Sequence, residues 1–194
     1  RGFVGKKTIW SIYPDIDIML FDPHFPINGS IGWEAKFSYR LQNSMTINSS
    51  IKQPIITGLD NIKRGPKEGL PNVRSDYMYY YRDIGTKPYL ANLTIDQYFK
   101  PFKTIYSQLN LGYFEMMYAG VRSETVWKDT NKPYGLGLDL AIVKKRNTYG
   151  DFSLIDSNYT TIIGSFYYDL SSDWNFKLDA GKYLAGDYGG TLSL

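Results

Sequence analysis

Long stretches of this chain alternate apolar and polar residues with a period of two, and few folds accept that pattern. In residues 31–41, Ile31, Trp33, Ala35, Phe37, Tyr39 and Leu41 share one face, while Gly32, Glu34, Lys36, Ser38 and Arg40 share the other. Successive side chains of a β-strand point to opposite faces, so such a run reads as a strand with one apolar face. Residues 134–144, 174–184, 89–100 and 105–113 follow the same rule; in 89–100, Tyr89, Ala91, Leu93, Ile95 and Phe99 oppose Asn92, Thr94, Asp96 and Lys100. Weaker alternation covers residues 14–20, 45–52, 121–127 and 162–170, and Gly189-Gly190-Thr191-Leu192 reads as a strand beginning. The total is nine or ten strands and no convincing helix. Residues 77–83 are a possible further strand whose aromatic cluster does not alternate cleanly.

Turn-forming residues separate these runs: Gln42-Asn43-Ser44, the stretch 128–133, and Ser171-Ser172-Asp173. Mostly short connections imply an antiparallel meander, with longer links expected at 22–30, 57–76 and 145–157. The predicted fold class is all-β, an antiparallel meander forming an outer-membrane β-barrel or a large part of one. Residues 1–194 are expected to be a single β-barrel segment of a longer protein, because the chain starts at Arg1 and ends as a strand begins.

Two solutions satisfy the alternation. In a soluble barrel or sandwich, the apolar faces point inward. In a membrane barrel they face lipid, and the polar faces line a wet lumen. Many runs reach ten residues, the length a tilted strand needs to cross hydrocarbon. Trp33, Tyr39, Tyr89, Phe99, Tyr134, Tyr168 and Trp174 fall near predicted strand ends, as interfacial girdles do. A mean hydropathy of −0.34 decides nothing here, because alternating strands average out.

Composition narrows the chemistry. There is no cysteine, which removes disulfide frameworks, thiol catalysis and cysteine-held metals. The one histidine, His24, sits in the rigid turn Asp22-Pro23-His24-Phe25-Pro26, so sites needing several imidazoles are excluded. Twenty-two Lys and Arg against nineteen Asp and Glu leave +3, too mild a balance for nucleic acid. Lys144-Lys145-Arg146 reads as a cluster at the headgroup boundary or in a water-facing loop. Asp15 and Asp17 could join a calcium site, but no third oxygen-rich element stands nearby. Gly186-Asp187-Tyr188-Gly189-Gly190 lacks the Lys-Ser/Thr ending of a phosphate loop and reads as a turn. Glu115 and Glu124 could form a glycosidase pair. The plainer reading is a set of luminal carboxylates balanced by Arg122 or Lys177.

Four stretches carry a resemblance. They are Phe21-Asp22-Pro23 with Pro26; Ile51-Lys52-Gln53-Pro54 followed by Leu70-Pro71-Asn72-Val73-Arg74-Ser75-Asp76; Leu111-Gly112-Tyr113-Phe114-Glu115-Met116-Met117-Tyr118-Ala119-Gly120-Val121 followed by Glu124; and Gly181-Lys182-Tyr183-Leu184-Ala185-Gly186-Asp187-Tyr188-Gly189-Gly190-Thr191-Leu192. In order and spacing they resemble the YjbH/GfcD-type exopolysaccharide and capsule biosynthesis proteins of Gram-negative outer membranes. Asn72 stands where that family has His, and Tyr118 where it has Phe. The resemblance implies an outer-membrane β-barrel, often a lipoprotein, that serves polysaccharide export without bond chemistry. Its expected partners are outer-membrane lipid, a polysaccharide and other proteins of the export operon; no cofactor, metal or nucleic acid is expected.

Arg74, Asp76, Glu115, Arg122, Glu124, Asp139, Lys177, Asp179 and Asp187 are the candidate lumen-lining, ligand-contacting residues, with no catalytic residue among them. The alternative from another functional class is a soluble β-rich glycan-binding module.

Overall fold

The computed structural model describes residues 7–20, 26–42, 44–62, 73–171 and 174–194. Phe21-Asp22-Pro23, His24, Asn43, Leu70-Pro71-Asn72 and Ser172-Asp173 of the sequence reading lie outside the described residues.

Among the described residues, ten strands form one sheet in chain order, every neighbouring pair antiparallel. They are β1 (Thr8–Leu20), β2 (Ile27–Gln42), β3 (Met45–Thr57), β4 (Tyr89–Phe102), β5 (Ile105–Tyr113), β6 (Tyr118–Lys128), β7 (Tyr134–Lys145), β8 (Tyr159–Asp169), β9 (Asn175–Lys182) and β10 (Tyr188–Ser193). The sheet is not closed: β1 and β10 are its two edges. No helix among the described residues is long and apolar enough to cross a membrane.

The two longest connections share one rim. At the other rim, β2 to β3, β4 to β5, β6 to β7 and β8 to β9 are each joined across two to five residues. The opposite rim carries the longest links, between β3 and β4 and between β7 and β8, beside the short ones of 114–117 and 183–187. Short turns at one rim and longer loops at the other also characterise outer-membrane barrels.

Burial runs opposite to that of a soluble sheet. Polar-face Glu34 and Asp96 are only 6% and 8% exposed, while apolar Ile16 on β1 is 63% exposed. A flat sheet would expose both faces alike, so this one curls with its polar face inward. The convex apolar face presents Ile12, Ile16 and Ile18 on β1 and Leu136, Leu138, Leu140 and Ile142 on β7, all exposed. Its aromatics gather at the short-turn rim, where Trp10, Phe99, Trp127, Tyr134 and Tyr168 sit near strand ends. The girdle expected at both ends is thus concentrated at one. Trp33 lies mid-strand, opposite Pro14 and Gln53, and Tyr89 is buried.

Curvature explains two glycines of the third sequence block. Gly112 and Gly120 face each other across β5 and β6. A Cβ on Gly112 would lie 2.1 Å from the Leu93 carbonyl oxygen, and one on Gly120 would lie 2.1 Å from that of Ile142. No side chain fits either position, so both glycines let β4 and β7 close on the hairpin.

Two sequence expectations are corrected. Residues 77–83 are not a strand: Tyr77–Ile84 form helix α1, which ends where the Gly85 N–H donates to the Tyr81 carbonyl at 2.8 Å. Their aromatics fail to alternate because the spacing is helical. Tyr80 and Ile84, four apart, are the buried pair, and the Tyr77 and Tyr81 rings meet edge-on at 6.2 Å. Second, Tyr89 leaves the face of Leu93 and Ile95. The ladder slips between Ser50 and Ile51, which pair with Asn92 and Leu90, and this bulge reverses the alternation. Tyr89 therefore turns inward and packs with Tyr80, Ile84, Met117, Tyr118 and Val143. That cluster fixes α1 on the concave side near the long-loop rim.

Candidate functional site: the concave polar face

Because all ten strands bring one residue in two to the concave side, their polar residues meet across the ladders. On β1–β3, Glu34 accepts hydrogen bonds from the Tyr13 hydroxyl at 2.6 Å and from the Ser50 hydroxyl. Lys52 donates to Asp15 at 2.8 Å and lies 3.6 Å from Asp17, so its ammonium occupies the place a cation would take between them. Further along, Asp96 accepts from the Asn48 amide at 2.6 Å, the Asn110 amide at 2.5 Å and the Thr94 hydroxyl at 3.3 Å. Ser38 extends this chain by donating to Asn48 at 2.5 Å. Four strands, β2 to β5, are thus tied through side chains as well as backbone, which satisfies polar groups that would be costly to bury alone.

A second group spans β6 to β9. Arg122 binds Asp139 with two nitrogens, its Nε at 2.9 Å from Oδ2, and lies 3.6 Å from Glu124. Lys177 pairs with Asp179 at 2.8 Å and stands over the Tyr167 ring, while Ser165 donates to Asp179 at 2.5 Å. These side chains line a cavity of about 230 Å³.

A third group ties α1 and its leading segment to the long-loop rim. Arg74 makes a two-pronged pair with Glu115, at 2.6 and 2.9 Å. This hydrogen bonding raises the Arg74 pKa further above its ordinary value, and the guanidinium stays charged. Asp76 stands at the helix N-cap, yet its side chain leaves the cap unfilled and accepts from Lys145 at 2.5 Å. Thr148 donates to Asp83, and the Tyr118 hydroxyl donates to the Val73 carbonyl. Beneath them lies Arg146, fully buried. It donates to the carbonyls of Glu115 at 2.6 Å, Gly150 at 3.2 Å and Asp151 at 3.1 Å, with its guanidinium 5.0 Å from the Tyr113 ring centre. Its own carbonyl accepts the Tyr80 hydroxyl at 2.8 Å. Burial pushes the Tyr80 phenol up to about 12 and draws the Arg146 guanidinium below its ordinary value.

Eight of the nine candidate residues therefore fall into two assemblies. Arg122, Glu124, Asp139, Lys177 and Asp179 form the second group; Arg74, Asp76 and Glu115 belong to the rim group. Asp187 joins neither. It lies exposed in the turn between β9 and β10, where its carbonyl accepts the Tyr183 N–H at 2.9 Å. Glu115 and Glu124 engage different arginines, Arg74 and Arg122. The sequence reading missed the Glu34 and Asp96 networks as sites, although both residues stood on the polar faces it assigned. It also misplaced the basic cluster: Lys145 and Arg146 are buried at the rim core, because α1 supplies Asp76 and the loops supply carbonyls.

Comparisons with known proteins point one way. A family model described as exopolysaccharide biosynthesis protein YbjH, of the YjbH family, matches residues 4–194. The uncharacterized lipoprotein YjbH of Escherichia coli (strain K12) is 28% identical over 133 residues, covering 64% of this chain. The match spans 18% of that relative's length. No solved structure matches.

Proposed function

The chain belongs to the YjbH family of exopolysaccharide biosynthesis proteins, and from that premise we propose that its sheet is a large part of an outer-membrane β-barrel through which an exopolysaccharide passes. The observation that carries this reading is the inverted burial: polar Glu34 and Asp96 inside, apolar Ile16 and Leu138 outside. Such a surface is stable where the solvent is lipid, and its concave face stays hydrated. The short-turn rim with its aromatics, opposite a long-loop rim, supports the same orientation across a bilayer. Both open edges would pair with further strands of the parent protein, since exposed edges invite aggregation. The location is the Gram-negative cell envelope, at the outer membrane.

The role is passage or guidance, without bond chemistry. The carboxylates of the second and rim groups stand beside cations: Asp139 and Glu124 beside Arg122, Asp179 beside Lys177, Glu115 beside Arg74. That supports a charge-balanced lining more than an acid and base with separated pKa values. A polymer must enter and leave, so many weak contacts serve it better than one tight site.

Outer-membrane fractionation of the full-length parent, with gel mobility compared before and after boiling in detergent, tests the reading. A membrane-fraction protein with a heat-dependent shift is the expected result. A soluble periplasmic protein without a shift would overturn it.

A further inference from the structure

The concave face carries a second, larger cavity, of about 550 Å³, between α1 and strands β1 to β4. None of the candidate residues but Glu115 reaches it. Its walls combine two kinds of surface. Tyr81 of α1 and Tyr89 of β4 supply aromatic rings; Asp17, Glu34, Lys36 and Lys52 supply charged heads. The Tyr81 ring is held edge-on by Tyr77, so its orientation is set before anything binds. The volume suits a small-molecule or oligomer subsite.

The charges on these walls are already engaged with one another. Lys52 pairs with Asp15 and Asp17, and Glu34 accepts from Tyr13 and Ser50 with Lys36 at 3.6 Å. A strongly charged ligand would have to break those pairs and bury a charge without a partner. An uncharged polyhydroxy ligand would not. Carboxylates and ammonium groups retain lone pairs and protons for hydroxyl groups, and the C–H face of a pyranose ring packs on a tyrosine ring.

We propose that this cavity is a binding subsite for an uncharged segment of polysaccharide, with Tyr81 as its stacking platform. The proposal rests on the reading of the concave face as a path for exopolysaccharide, and it adds a place and a ligand class to that reading. The 8-residue helix α1 then has a task beyond closing the rim: it places one ring over a polar floor.

The test is saturation-transfer NMR on the full-length parent protein in detergent micelles. The probes are cellohexaose, maltohexaose and mannohexaose, with oligogalacturonate and a chitosan hexamer as charged counterparts. Transfer to at least one neutral hexaose, and weaker transfer to both charged oligomers, is expected. Tyr81→Ala should weaken apparent affinity about tenfold, the loss of one stacked ring. Tyr81→Phe should retain it, and Tyr188→Ala, at an exposed tyrosine remote from the cavity, should change nothing. Lys36→Met gives a second probe that does not touch α1, with a several-fold loss expected. Transfer to none of the neutral hexaoses, preference for a charged oligomer, or indifference to both Tyr81→Ala and Lys36→Met would overturn the subsite. Heat-dependent gel mobility of the same samples separates the failures: a shift without sugar binding removes the subsite alone, and the absence of a shift removes the barrel beneath it.

Discussion

Leu140→Lys should be among the costliest single changes on the convex face. Leu140 lies six residues along β7 from Tyr134, on the same apolar face. At about 3.3 Å per residue and a tilt near 40°, it sits about 15 Å from the aromatic rim along the barrel axis. That is the middle of an apolar band about 25 Å tall, where a lysine costs about 2–4 kcal/mol. Leu136→Lys, about 5 Å from the rim, should cost only about 0–1 kcal/mol. Ile163→Lys is the matched control: Ile163 lines the concave cavity directly opposite Asp139, which can receive the ammonium. Its cost should stay within about 1 kcal/mol. Urea unfolding of the full-length parent in lipid vesicles reads all three. The expected order is Leu140 well above Leu136 and Ile163, with a 30- to 1000-fold fall, roughly, in the folded population for the first. A sheet whose apolar face meets water would instead tolerate Leu140→Lys within about 0.5 kcal/mol. Equal costs for Leu140→Lys and Ile163→Lys would refute the assignment of faces.

Other perturbations follow from the polar networks. Asp96→Ala strands the amides of Asn48 and Asn110 and should cost about 2–3 kcal/mol, read as a fall in the urea midpoint at unchanged slope. Arg146→Met leaves the carbonyls of Glu115, Gly150 and Asp151 without their buried donor, so protease should nick residues 146–158 markedly faster. Arg74→Ala, at an exposed pair, should cost under about 1 kcal/mol in the same unfolding assay. The Tyr80 phenol keeps its proton to about pH 12 when folded but loses it near pH 10 when unfolded, so its neutral burial is stabilising below pH 10 and that stability is lost as pH rises toward 12. Tyrosinate absorbance of wild type minus Tyr80→Phe should show that late step.

The strands were legible wherever alternation ran unbroken. Residues 105–113 were read with the bounds they have, and Tyr134–Lys145 to within one residue, because each side chain there meets one of two solvents. Weak runs were read too short: β1 begins at Thr8, where exposed Ile9 and Trp10 both escape a strict alternation. The stretch 77–83 was misread because a short amphipathic helix and an irregular aromatic strand look alike over so few residues. The reversal at Tyr89 was invisible, since a bulge is a property of two strands in register and not of either alone. Of the site, the pairs Arg122–Asp139 and Lys177–Asp179 were legible as polar-face charges. The burial of Lys145 and Arg146 was not, because it depends on α1 and its N-cap folding back from 66 and 69 residues earlier.

Cysteine accessibility on β7 and β8 tests the division of faces most directly. The chain has no cysteine of its own, so each introduced thiol within it reports one position. Single cysteines at Leu138, Leu140 and Ile142 and at Gly137, Ala141 and Ile163 would be placed in the full-length parent and treated, in outer-membrane preparations, with a small water-soluble maleimide. Labelling is expected at Gly137, Ala141 and Ile163, with protection at Leu138, Leu140 and Ile142 until detergent removes the lipid. Labelling at Leu138, Leu140 and Ile142 in intact membranes would refute a lipid-facing convex surface.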